Sequence, residues 1–189
     1  MDIFNMLKSN KKLFYYSYFI AFSFFMMGIT NILFDYYFWF TQKAYMLSGI
    51  IETIAPQLLD KSIELTSVSI ILLVILTHIP VLISSLSSFF VGYFFFKASR
   101  GEIWTKKNIK ILLIAGILMM IRPIINGVMK SLESLALSIS LPAGEKIFIV
   151  NIGISTDGVS DMLYGVMIVS LALIMKETIK ISDENKLYI

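Results

Sequence analysis

Four polar residues lie inside otherwise apolar stretches and are the ones whose types could do chemistry there: His78, Arg122, Asn126 and Asp161. Lys107 and Lys176 serve as anchors at one membrane face. Arg122 lies 15 residues beyond Lys107, and Asp161 lies 15 residues before Lys176. At ~1.5 Å per helical residue both reach about 22 Å, the same depth from opposite chain directions. An ion at that depth costs at least ~2.5–3.5 kcal/mol on insertion scales, so such groups usually face inward and pair. The spacing therefore predicts an Arg122–Asp161 ion pair bordered by His78 and Asn126. Two alternatives stay open: Arg122 could snorkel to the nearer interface, and Asp161 could sit in loop water.

Catalytic signatures are missing. The 189 residues include no Cys and one His, which removes disulfides, thiol chemistry and Cys-based zinc sites and makes a His-based metal site unexpected. The sequence holds no G-x-S-x-G elbow, H-E-x-x-H helix or phosphate-binding G-x-x-x-x-G-K-[ST] loop. No paired carboxylates sit in an apolar segment. The expectation is a protein that is not an enzyme and takes no cofactor. Clustered Lys and Arg without a helix-turn-helix or an interleaved aromatic platform also argue against direct nucleic-acid binding.

The elements that must position the four polar residues are apolar spans. The chain is 57% hydrophobic and only 15% charged, against about 45–50% and 25% in soluble domains. Four runs reach the ~20 residues that a bilayer requires: about 13–34, 67–96, 107–129 and 159–179. Together they predict an all-α membrane protein, a four-helix transmembrane bundle forming one domain over 1–189. The first run exceeds a signal-peptide core and lacks an A-x-A site, so it reads as a retained helix. Asp35 is expected to end it, with Tyr36, Tyr37 and Trp39 as an interfacial aromatic belt. Ser84, Ser88 and Gly92, spaced by four, offer a close-packing stripe for a neighbouring helix or a second copy.

Between the spans, Met46, Ile50, Ile54, Leu58 and Leu59 recur at near-helical spacing, which predicts an amphipathic helix lying on the membrane surface or packed on the bundle end. Residues 135–154 read as strand, turn and strand around Pro142–Glu145, a β-hairpin on the same face. In the connector 97–108, Gly101 suits a left-handed helix cap and Thr105 an N-cap.

Charge sets the orientation. Eleven of the sixteen Lys and Arg lie at the N-terminus (Lys8, Lys11, Lys12), the central connector (Lys97, Arg100, Lys106, Lys107, Lys110) and the C-terminal region (Lys176, Lys180, Lys186). The opposite side has Lys43, Lys61, Lys130 and Lys146. The positive-inside rule then places both termini and the connector in the cytoplasm, and the amphipathic helix and hairpin outside it.

Two stretches resemble a known family. Gly101-Glu-Ile-Trp-Thr-Lys-Lys-Asn108 is similar to the "G-E-[IP]-F-T-x-x-N" connector of the DUF2975 family of bacterial four-helix membrane proteins. Lys180-Ile-Ser-Asp-Glu-Asn-Lys-Leu-Tyr-Ile189 is similar to that family's C-terminal "L-x-x-E-N-x-L-T-I". Gly101, Glu102, Thr105, Asn108, Glu184, Asn185, Leu187 and Ile189 match; Trp104 replaces Phe and Tyr188 replaces Thr. The likeness covers about residues 90–189. It implies a multi-pass protein of the bacterial plasma membrane, and its members are often encoded beside a small Cro/C1-type helix-turn-helix regulator. It implies no catalytic residues.

Both matching stretches fall on the face expected to be cytoplasmic, so Gly101, Glu102, Trp104, Thr105, Asn108, Glu184, Asn185, Leu187 and Ile189 form a candidate partner surface. The leading expectation is a non-enzymatic membrane protein that tethers or regulates a small cytoplasmic helix-turn-helix transcription regulator. The alternative is a small transporter, channel or immunity-type protein in which the Arg122, Asp161 and His78 layer lines a cavity. A structural subunit of a larger complex is a third possibility.

Overall fold

The computed structural model describes residues 11–56, 64–151 and 154–185. They form five α-helices and no strand: α1 Lys11–Thr41, α2 Lys43–Ile54, α3 Ser67–Ser99, α4 Lys106–Ser138 and α5 Thr156–Asn185. Helices α1, α3, α4 and α5 are each long and apolar enough to cross a membrane, which makes this a multi-pass membrane protein. Helix α2 is the shorter amphipathic one.

The spans are longer than their apolar runs. Helices α3 and α4 each have 33 residues, about 50 Å at ~1.5 Å per residue against a ~30 Å hydrocarbon core. Neither proline stops its helix: α3 continues through Pro80 and α4 through Pro123. Asp35 does not end α1, which runs on to Thr41. Asp35 lies beside the His78 ring of the facing helix rather than at a helix end.

The four spans stand side by side in a row. Helix α1 packs on α3, α3 on α4 and α4 on α5, and the two end helices do not touch. Small residues set these approaches. Gly92 lies against the backbone of Ala21, the Cβ of Phe24 and the ring of Phe25, so part of the Ser84/Ser88/Gly92 stripe is taken up by α1 within the chain. The Ser87 hydroxyl donates to the Ala115 carbonyl (2.9 Å), joining α3 to α4. A Cβ on Gly116 or Gly165 would come within 2.9 Å of the facing carbonyl oxygen, so only glycine permits this α4–α5 contact.

The protruding ends of α3 and α4 carry a cap. Its core is Trp39, Ile54, Ala55, Leu73, Ala136, Leu137 and Leu141, with Met46, Leu47, Ile50 and Ile51 of α2 packed against it. Helix α2 thus rests on the ends of the spans, one of the two arrangements expected for it; Leu58 and Leu59 lie outside the described residues. Trp39 is not a belt residue. It is 6% exposed and its indole donates to Thr77 Oγ1 (3.1 Å). Tyr36 and Tyr37 remain exposed.

Among the described residues the β-hairpin is not present. Residues 135–138 are the last turn of α4, and residues 147–151 run extended without a strand partner. Serines on one face of α4 replace that partner. The Ser138 hydroxyl meets both the N–H (2.6 Å) and the carbonyl of Ile147. Ser134 Oγ accepts from Ile149 N–H (3.0 Å), and Ser131 Oγ from Asn151 N–H (2.8 Å). Helical spacing on α4 therefore meets the two-residue period of an extended segment, and backbone donors that a sheet would satisfy are satisfied by side chains. The alternation at 147–151 is real: Ile147 and Ile149 turn inward, Phe148 and Val150 outward.

Candidate functional site

Arg122 and Asp161 meet. The Arg122 Nη1 donates to Asp161 Oδ2 at 2.6 Å, bridging α4 and α5. The pair is not sealed, since the two side chains are 37% and 29% exposed. Its surroundings are built for a close approach: Gly158, one turn before Asp161, lies against Pro123 beside Arg122.

His78 does not border that pair. Its ring Nδ1 lies 2.9 Å from Asp35 Oδ2 and 2.9 Å from the Val74 carbonyl. A carbonyl only accepts, so Nδ1 carries a hydrogen, which is directed to Val74. The carboxylate sits close by without a hydrogen bond at Oδ2, and His78 Nε2 has no hydrogen-bond partner among the described residues. Tyr36 closes over the imidazole edge-on, with centroids 4.5 Å apart. At 10% and 12% exposed, His78 and Asp35 are more deeply enclosed than Arg122 and Asp161.

The two contacts share a level. Contacts of Gly92 with Ala21, Ser87 with Ala115 and Gly116 with Val169 fix antiparallel registers along the row. Those registers put Asp35, His78, Arg122 and Asp161 at one depth, with Pro80 and Pro123 beside them. They occupy separate interfaces, however. Asp35–His78 staples α1 to α3, Arg122–Asp161 staples α4 to α5, and the α3–α4 contact lies between. A row offers these groups no shared lumen, so the single polar layer expected from depth alone is two staples.

Asn126, one turn beyond Arg122, belongs to a groove of ≈ 340 Å³ under α2. Thr77, Lys130 and the buried Glu133 line it with Tyr45 and Glu52 of α2. The sequence reads Asp35 only as a helix end, and it does not single out Glu133 or Thr77. Asp35 had a signal, since it ends an apolar run at the depth of the lone histidine. Glu133 reads as an ordinary loop acid once the third span is ended at 129.

At the connector, most of the motif builds the turn. Gly101 has φ +80; its N–H bonds to Ala98 O (2.9 Å) and the N–H of Glu102 to Lys97 O (3.0 Å), a Schellman cap. Glu102 Oε2 accepts from Lys97 Nζ (2.9 Å). Thr105 Oγ1 caps α4 by accepting from Asn108 N–H (3.1 Å), and the buried Asn108 amide donates to the Glu102 carbonyl (3.2 Å). Of these residues, only Trp104 is an exposed large side chain. Glu184 and Asn185 are exposed at the end of α5; Leu187 and Ile189 lie outside the described residues. The described residues hold no group of three or more His, Cys, Asp or Glu placed to bind a metal.

No protein-family model, curated protein or solved structure matches this chain.

Proposed function

We propose that this protein is a non-enzymatic membrane partner that holds a small cytoplasmic helix-turn-helix regulator at the bacterial plasma membrane, with both termini and the connector in the cytoplasm. The observation that carries the reading is the continuity of α3 and α4. Each is one helix from the cap to the connector end, where Trp104 and the exposed end of α5 lie. A disturbance at the cap would reach the connector through two continuous helices joined by the Ser87–Ala115 bond. The eleven basic residues gathered at the termini and connector support the orientation. The likeness of the connector and tail to the DUF2975 pattern supports both the bacterial setting and the regulator as the kind of partner.

The turn-building roles of Gly101, Glu102, Thr105 and Asn108 narrow the partner surface to Trp104 and the C-terminal tail. The test is co-purification of the full chain from native membranes, with and without residues 181–189. Loss of a helix-turn-helix protein from the truncated sample is the expected result; identical recovery removes the tail from the interface.

A further inference from the structure

Besides the cap groove, the molecule has a larger cavity, ≈ 830 Å³, between α4 and α5 at the connector end. That volume lies within the ~300–1,000 Å³ of ordinary ligand sites. Its apolar wall is Ile109, Leu113 and Ile179, and four lysines stand around it: Lys106 and Lys110 on α4, Lys176 and Lys180 on α5. Each pair is spaced by four, so each projects from one helix face. None of the four is in an ion pair among the described residues. The α4–α5 register, set by Gly116 beside Val169 and Arg122 beside Asp161, puts Lys176 level with residues 107–109, between Lys106 and Lys110. Lys110 lies about a turn deeper than Lys106, and Lys180 about a turn further out than Lys176. Glu177 is on the rim near Lys176, and Asp183 and Glu184 lie a further turn beyond Lys180.

The geometry points to an anionic phospholipid seated in this groove, its phosphate among Lys106, Lys110 and Lys176 and its acyl chain against Leu113. The charge is complementary at the depth where a headgroup sits, because the acidic residues other than Glu177 stand further out. The wall turns apolar in the direction the acyl chain runs. Lysine suits this place, since its methylene stem lies along apolar surface while its ammonium reaches the phosphate level. An acidic protein segment would meet the lysines but would leave the inner apolar wall to other contacts, so the lipid fits more of the groove. The assignment does not depend on which membrane face the connector occupies, nor on the regulator reading.

Purified full-length protein in detergent, titrated with phosphatidylglycerol or phosphatidylcholine and followed by native mass spectrometry, tests it. A lysine beside a headgroup is worth roughly fivefold in affinity. Wild type should prefer phosphatidylglycerol by about tenfold or more. K110Q/K176Q should lose most of that preference, and K110R/K176R, which retains both charges, should keep it and so exclude misfolding as the cause. K43Q/K146Q, at the cap end, should behave as wild type. Equal retention of the two lipids by wild type, or an undiminished preference in K110Q/K176Q, overturns the assignment and leaves the groove to an acidic protein segment.

Discussion

Two interhelical contacts at one depth differ in how far they are enclosed. Arg122 and Asp161 are about a third exposed, so solvent and headgroups screen them, and exposed pairs are worth little. Interhelical polar pairs in membrane proteins average about 0.6 kcal/mol and reach about 1.7. A double-mutant cycle on Arg122 and Asp161 should therefore give a coupling of about 0.5–1.5 kcal/mol in thermal or denaturant unfolding. The exchanged pair R122D/D161R should unfold later than either single variant; if it does not, the contact is not a pair in solution. Both of its members were legible in the sequence, because depth can be counted from basic anchors. Asp35 was not. Its position just after an apolar run looks like a helix end, and only the partner across the interface, His78, makes it an interior residue.

The serine face of α4 carries its own expectation at the scale of elements. Ser131, Ser134 and Ser138 hold the N–H groups of Asn151, Ile149 and Ile147. A net hydrogen bond is worth about 1 kcal/mol, near fivefold in an opening equilibrium. Hydrogen exchange should find these amides protected, and S134A should accelerate exchange at Ile149 roughly fivefold with little change in α1. Unaltered exchange would mean that the segment is held by Ile147 and Ile149 alone. This region also shows why the hairpin expectation failed. Alternation in 135–141 arises because Ser134, Ala136, Leu137 and Ser138 form a broad buried face of a helix. A short window of such a face cannot be told from a period of two. Residues 147–151 do alternate between inward and outward side chains, but they pair with serines of α4 and not with a strand.

At the scale of the molecule, the number and order of the spans follow from apolar length, because each crossing needs ~20 residues whatever it packs against. Their arrangement does not. Nothing in the individual runs says that α1 and α5 stay apart, since that depends on where the small residues of each face fall. The chain has no Cys, so introduced pairs report neighbours cleanly. S87C/A115C should cross-link within one chain, because the Ser87 hydroxyl already reaches the Ala115 carbonyl and a disulfide requires Cα atoms within about 7 Å. A21C/A172C, joining the ends of the row, should give no intramolecular product; its appearance would mean that the row closes into a ring.

A row also carries a history. Once the first hairpin, α1 with α3, is in place, each later span settles beside the one synthesised just before it. No helix has to wait for a distant partner, and no finished interface has to reopen to admit a latecomer. Chains whose contacts are local in this sense assemble quickly and expose less half-made surface on the way. The spatial order of the helices is thus also a schedule, one that an insertion machinery releasing one hairpin at a time could follow without storing unpaired helices.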